Sequence, residues 1–101
     1  MSKKNKYVFI SGGTSGIGKE LVSLFLDNHL NVITFSSRKK NVINLKKDFS
    51  EYGNQLTCFQ ADITSEKDLN YIYKIVMGKT KRIDYLINNS GTNRIGPISK
   101  I

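Results

Sequence analysis

The sequence has little of what several protein classes require. Its 101 residues include a single cysteine, Cys58, which by itself makes neither an internal disulfide nor a metal centre. No apolar run approaches the roughly 20 residues that a membrane-spanning helix needs. The first ten residues lack the apolar core and cleavage site of a signal peptide. These absences disfavour secreted and membrane-spanning proteins, so we expect a cytoplasmic protein without a metal or a membrane partner.

Acidic residues are also scarce, with 8 Asp and Glu against 16 Lys and Arg and a formal net charge of +8. An excess of cations is one mark of a nucleic-acid-binding protein. The densest group, however, is not interleaved with aromatic side chains that would stack on bases. Its members are Arg38, Lys39, Lys40, Lys46 and Lys47. We interpret it as a solvated face and expect no nucleic-acid partner, although binding through the lysines stays a minor alternative.

The spacing of apolar residues predicts strands that alternate with helices. The strands are predicted over residues 7–10, 31–36, 55–61 and 83–87, and the helices over 19–28, 41–52 and 65–78. Gly53 and Gly78 are expected to end the second and third helices, and Ser65 with Asp68 has the form of a capping box. This order predicts one α/β domain over residues 1–101, with a parallel sheet, right-handed crossovers and helices on both faces.

The segment Ser11-Gly12-Gly13-Thr14-Ser15-Gly16-Ile17-Gly18 joins the first strand to the first helix. A helix N-terminus attracts phosphate through its unpaired N–H groups, provided that the ligand comes close to the backbone. Gly12 suits the turn off the strand, Gly16 would admit a pyrophosphate, and Gly18 would let the helix pack on the sheet. The segment is not a Walker loop, because Lys19 is followed by Glu20 and the glycine spacing differs.

Three motifs together resemble the short-chain dehydrogenase/reductase family. They are the S/T-G-x-x-x-G-x-G spacing at residues 11–18, Asp62 after the third strand, and Asn88-Asn89-Ser90-Gly91 after the fourth. The likeness extends from about Lys6 to the last residue. It implies a Rossmann-like sheet with strand order 3-2-1-4 and a cofactor crevice between strands 1 and 4. It also implies hydride transfer between NADPH and a carbonyl or alcohol, as in 3-oxoacyl and ketone reductases.

The resemblance also assigns roles to residues. Those expected to surround the pyrophosphate are Ser15, Gly16, Ile17 and Gly18, with Gly12 shaping the turn. Asp62 and Ile63 would hold the adenine. The residues under the nicotinamide-side ribose would be Asn89, Ser90 and Gly91. Taken singly, Asp62 and the asparagines have simpler interpretations as turn residues.

The end of the second strand bears on the choice of cofactor. An acidic residue there binds the ribose hydroxyl of NAD and repels the 2′-phosphate of NADP. The sequence has instead Ser36-Ser37-Arg38-Lys39-Lys40. By family spacing Ser37 falls where NADP enzymes place a hydroxyl or basic residue, and the Arg38 guanidinium suits a phosphate. We therefore predict NADP over NAD.

The family's catalytic Tyr-x-x-x-Lys pair is missing from the sequence. None of the five tyrosines is followed by lysine four residues later, and in the family this pair and the catalytic serine lie well beyond the Asn-Asn-x-Gly motif. We expect no catalytic residue here and a sheet truncated to four strands and three helices.

Two further expectations follow from the truncation and from the helix ends. The fourth strand would be an apolar edge open to a second chain or to self-association. A different class of function, a non-catalytic nucleotide-binding or interaction module docking through that edge, stays the alternative. His29, which replaces the usual glycine after the first helix, is interpreted as a structural C-cap.

Overall fold

The computed structural model describes residues 6–14 and 16–88. In chain order its elements are β1 (Tyr7–Ser11), α1 (Gly16–Asp27), β2 (Asn31–Ser36), α2 (Lys39–Asp48), a 3₁₀ helix (Ser50–Gln55), β3 (Leu56–Gln60), α3 (Glu66–Lys79) and β4 (Tyr85–Asn88). The four strands form one parallel sheet in the order β3-β2-β1-β4. The predicted fold class and strand order are therefore confirmed.

Right-handed crossovers decide which face of the sheet each helix covers. The chain moves outward from β1 to β3, which places α1 and α2 on one face, and its return to β4 places α3 on the other. The core on the α1 side contains Val8, Ile10, Val22, Leu26, Leu30 and Val32. The core on the α3 side contains Phe9, Ile33, Phe35, Phe59, Ala61, Ile72 and Val76. Consecutive residues of β1 thus enter opposite cores, which explains its unbroken apolar run.

The first helix begins at Gly16, three residues before its predicted start, so the end of the glycine-rich segment forms its first turn. Its C-terminus is closed by His29, whose φ is 67°. The His29 N–H donates to the Leu26 carbonyl and the Leu30 N–H to the Phe25 carbonyl, both at 3.0 Å. This is a Schellman motif with histidine in the usual glycine position. The structural role predicted for His29 is confirmed.

The prediction of one helix over residues 41–52 was wrong in its last four residues. The α-helix ends at Asp48, and a 3₁₀ helix follows that contains Gly53 at φ 54°. Phe49 and Tyr52 are spaced by three residues, which fits a 3₁₀ turn as well as an α-turn. The Tyr52 hydroxyl donates to the Asp27 carboxylate at the end of α1, and this hydrogen bond chiefly raises the pKa of Tyr52 to about 12.

The start of the third helix confirms half of the predicted capping box. The Ser65 hydroxyl accepts from the Asp68 N–H at 3.3 Å. The Asp68 carboxylate does not return to Ser65 but accepts from the Asp62 N–H at 2.8 Å. Gly78 was wrongly expected to end this helix: it adopts no left-handed conformation, and the helix runs to Lys79.

The bounds of the third and fourth strands differ slightly from the predicted ranges. The third strand is one residue shorter at each end than predicted, and the fourth begins at Tyr85 rather than at residue 83. Before it, Asp84 bridges to β1: its carboxylate accepts from the Tyr7 N–H at 2.8 Å, and its own N–H donates to the Tyr7 carbonyl at 2.9 Å. Among the described helices, none has the length and apolar character to cross a membrane.

Candidate functional site

The glycine-rich segment adopts the backbone conformations that its spacing predicts. Gly12 has φ 72° and turns the chain off β1, and Gly16 has φ 58° at the first position of α1. A Cβ built at Gly16 meets no described atom within 4 Å, so the helix N-terminus is open to a ligand. Gly18 is buried, as its predicted packing role requires, whereas Ile17 is exposed. Ser15 lies outside the described residues.

Gly13, which was not among the predicted site residues, lies where a side chain would clash. A Cβ there would lie 2.5 Å from Thr34 Oγ1 and 3.0 Å from Val22 Cγ2. Its N–H instead donates to the Thr34 hydroxyl at 3.2 Å. A doubled glycine, and a threonine among the apolar residues in the middle of β2, are the features of the sequence that point to this contact.

A cavity of about 200 Å³ lies at the carboxyl ends of β1, β2 and β3. It is lined by Gly12, Thr14, Phe35, Ser36, Ser37, Ala61, Asp62 and Ile63. Four predicted residues, Gly12, Ser37, Asp62 and Ile63, are thus brought together from three separate loops. The other four were not predicted, because their contribution depends on which strand ends meet. A crevice at the carboxyl ends of parallel strands, beside a helix N-terminus, is where open α/β sheets bind nucleotides.

The Asp62 carboxylate is oriented within this cavity wall by Thr64. Asp62 Oδ1 accepts from the Thr64 hydroxyl at 2.7 Å and from the Thr64 N–H at 2.9 Å. These hydrogen bonds, the side-chain one first, hold the pKa of Asp62 below its usual value. Asp62 therefore does begin a turn, as its simpler interpretation stated, and the same turn presents an ionised carboxylate beside Ile63. Its contact with adenine stays a prediction.

Arg38 lies next to the cavity but does not line it. It is the N-cap of α2, its N–H donates to the Ser36 hydroxyl at 3.1 Å, and within the described part of the chain no side chain caps this helix start. Lys39 and Lys40 follow in the first turn, where no acidic residue occurs. Cations at the positive end of a helix dipole are unfavourable. An anion bound here would relieve that repulsion.

The ends of β1 and β4, between which the resemblance places the cofactor crevice, are joined by a side-chain hydrogen bond. The Ser11 hydroxyl donates to Asn88 Oδ1 at 3.0 Å. Both residues belong to the motifs quoted for the resemblance, and strand pairing brings them together in register. The predicted ribose-binding residues Asn89, Ser90 and Gly91 lie outside the described residues.

A sequence model of the family described as short chain dehydrogenase matches residues 6–101. The chain belongs to this family. No group of three or more His, Cys, Asp or Glu side chains suited to a metal ion occurs within residues 6–14 and 16–88 of this short-chain dehydrogenase.

One relative is the 3-oxoacyl-[acyl-carrier-protein] reductase of Thermotoga maritima. It is 30% identical over 94 residues, which cover 93% of this chain and 38% of the reductase. The chain spans less than two-fifths of the length of the curated relatives that it matches.

Two solved structures have a similar fold. A short chain dehydrogenase from Bacillus anthracis superposes with a TM-score of 0.80 at 28% identity, over 90% of this chain and 38% of that one. ElxO, solved with NADP bound, is 34% identical and superposes with a TM-score of 0.74, over 87% of this chain and 36% of ElxO.

Proposed function

We propose that this chain is the NADP-binding portion of a short-chain oxidoreductase that interconverts a carbonyl compound and an alcohol. The observation that carries the proposal is the cavity at the carboxyl ends of β1, β2 and β3, where Gly12, Ser37, Asp62 and Ile63 meet beside the open start of α1. When bound, NADPH supplies a hydride to the carbonyl carbon while the carbonyl oxygen gains a proton. The name of the Thermotoga relative supports a carbonyl substrate.

In this proposal the residues of the chain bind and orient the cofactor. Ser15, Gly16, Ile17 and Gly18 receive the pyrophosphate, because a helix N-terminus has unpaired N–H groups and a dipole that attracts negative charge. Asp62 and Ile63 hold the adenine at the far wall of the cavity. The residues Asn89, Ser90 and Gly91 support the ribose near the nicotinamide. No residue of the chain is assigned to proton transfer in this proposal, since the 101 residues contain no Tyr-x-x-x-Lys pair.

The preference for NADP rests on the charge around the start of α2. Three consecutive cations, Arg38, Lys39 and Lys40, occupy a helix start without an acidic residue. The neighbouring Ser37 lines the cavity and Arg38 adjoins it, so a 2′-phosphate on the adenosine ribose would meet a hydroxyl and a guanidinium. NADP in the related ElxO structure, at 34% identity, agrees with this choice.

The test is a cofactor titration of the chain and of Arg38→Ala. A ligand that binds only the folded state raises the melting temperature as its concentration increases. We expect NADPH to raise it more than NADH does. Arg38→Ala should weaken the binding of NADPH about ten- to a hundredfold, because a charge-assisted hydrogen bond is lost. It should leave the binding of NADH unchanged.

Lys67→Ala, which removes an exposed cation from α3, is the matched control and should change neither affinity. Tighter binding of NADH would overturn the NADP preference. Absence of binding by both nucleotides would overturn the proposed function itself.

We also infer that the β4 edge pairs with a further strand, from a second chain or another copy. Tyr85 and Leu86 are 45% and 38% exposed, and the four residues of β4 carry no charge. An apolar groove of about 380 Å³ adjoins them, lined by Lys6, Leu24, Phe25, Asn28, Leu30 and Tyr85. Leu86→Lys should therefore reduce association measured by sedimentation velocity, while Ile43→Lys on exposed α2 should not. An equal effect of both substitutions would contradict an edge-specific contact.

For the cellular location we propose the cytoplasm. The single cysteine, Cys58, is buried and free, which suits a reducing compartment. Cell fractionation tests this assignment, and recovery of the protein outside the cytoplasmic fraction would contradict it.

A further inference from the structure

Thr34 is a polar residue with no exposed surface in the middle of β2. Its hydroxyl donates to the Ile10 carbonyl at 2.6 Å and accepts from the Gly13 N–H at 3.2 Å. A buried hydroxyl is costly unless it is hydrogen-bonded, and here both its donor and an acceptor position are used. One side chain therefore joins the end of β1 and the glycine-rich segment to β2.

The sheet itself does not require this hydroxyl. Ile10 and Thr34 are already paired in the parallel ladder between β1 and β2, and an apolar β-branched residue would fill the same place. The contact with Gly13 reaches beyond the ladder into the loop that follows β1. Its consequence is thus a fixed position for the loop.

That position matters because Gly13 stands between two residues of the cavity wall. Gly12 and Thr14 both line the cavity of about 200 Å³ at the strand ends. Gly13 comes this close to Thr34 only because it lacks a Cβ, which would lie 2.5 Å from the hydroxyl oxygen. The Gly13–Thr34 contact therefore sets where the loop enters α1.

We propose that Thr34 is a positioning residue for the cofactor: through Gly13 it holds the glycine-rich segment so that the N–H groups at the start of α1 face the pyrophosphate. This inference rests on the proposed function, and it adds a residue that does not itself line the cavity. Because the pyrophosphate is common to both nucleotides, Thr34 should affect NADPH and NADH alike. In this it differs from Arg38.

The test compares Thr34→Val, which removes the hydroxyl at similar volume, with Thr34→Ser, which keeps it. Dissociation constants for NADPH and NADH are measured at a temperature where circular dichroism shows each variant folded. We expect Thr34→Val to weaken both nucleotides by the same factor, about tenfold, because the Gly13 N–H loses its acceptor. Thr34→Ser should stay within about threefold of the unmodified chain. Thr57→Val on β3 is the control and should bind normally.

A second measurement needs no ligand and uses Gly13→Ala. The Cβ added by Gly13→Ala would clash with the Thr34 hydroxyl. Gly13→Ala should therefore lower the free energy of unfolding less in the Thr34→Ala background than in the unmodified chain. If Thr34→Val does not fold, Thr34→Ala replaces it in the binding assay.

The outcomes separate the two proposals. Unchanged affinity in the hydroxyl-free variant, beside normal binding by the unmodified chain, would overturn the role of Thr34 alone. A loss of affinity confined to NADPH would also overturn that role. So would additive losses of stability from Gly13→Ala and Thr34→Ala. Absence of nucleotide binding by the unmodified chain would overturn the proposed function and, with it, this role.

Discussion

The two edge strands of the sheet, β3 and β4, are each paired on one side within the described sheet, yet they differ in burial. On β3, Cys58 packs against Val42 and Leu45 of α2, and Phe59 packs into the core under α3. On β4, Tyr85 and Leu86 stay exposed. Both strands are short and mostly apolar, so their composition does not explain the difference. Cover by helices on both faces, rather than strand pairing, is what buries an edge strand here.

The largest effect expected from this comparison is that of Phe59→Ala. The Phe59 ring stacks on Phe35 with centroids 6.0 Å apart and meets Tyr71 edge-on at 5.8 Å. Removing it leaves a cavity between β3 and α3, so the free energy of unfolding should fall by about 3–5 kcal/mol in urea denaturation. Phe59→Leu, with a milder loss, serves if the alanine variant does not fold. A loss below about 1 kcal/mol would show that the β3 edge is not buried in solution.

An intermediate effect on stability is expected when the thiol of Cys58, on the other face of β3, loses its proton. Burial raises the pKa of Cys58 to about 11 from an ordinary value of 9.0, with Lys46 opposing the shift. Between these pH values the unfolded chain loses the thiol proton first. The stability that the thiol contributes is thus present below pH 9 and is lost as the pH rises towards 11.

The size of this pH effect is at most about 2–3 kcal/mol. It is measured as the difference between the unmodified chain and Cys58→Ala in urea denaturation across this pH range, which cancels the lysine and tyrosine titrations common to both. Cys58 should also react slowly with iodoacetamide until the chain unfolds. Equal pH slopes in the two proteins, or rapid labelling of the folded chain, would mean that α2 does not cover β3.

The smallest effect is expected from Leu86→Ala on β4. A side chain that is 38% exposed loses only part of its full transfer free energy on truncation, so the free energy of unfolding should change by about 1 kcal/mol or less. The same denaturation assay at low protein concentration measures it. A loss of more than about 1.5 kcal/mol would show that something covers the β4 edge, and the contrast with β3 would then disappear.

Local patterns in the sequence predicted the elements well where a single helix or strand face decides them. The bounds of β2 agree with the prediction, and the left-handed conformation at Gly12 follows from its place directly after a buried strand. The predicted end of α2 was wrong because the spacing of Phe49 and Tyr52 fits an α-helix and a 3₁₀ helix equally well. The prediction that Gly78 ends α3 was wrong because a glycine permits a helix end without requiring one.

The candidate site was predicted in part. The motifs identified Gly12, Ser37, Asp62 and Ile63, which the fold brings to one cavity, and Arg38, which stays beside it. The likeness to known motifs, and not periodicity, carried these assignments.

By itself, the sequence determined the alternation of strands and helices and the glycine-rich turn after the first strand, and its resemblance to a known family implied the order of the strands. The alternation and the turn depend on residues that are near neighbours along the chain, and right-handed crossovers, the same for all L-polypeptides, then decide which face each helix covers. Only the tertiary structure decided that the Gly13 N–H donates to Thr34, 21 residues away, and that the Asp68 carboxylate accepts from the Asp62 N–H. It also decided that β3 is buried while β4 is exposed. Such contacts depend on how side chains from separate elements fill a shared space, and no local spacing records that geometry.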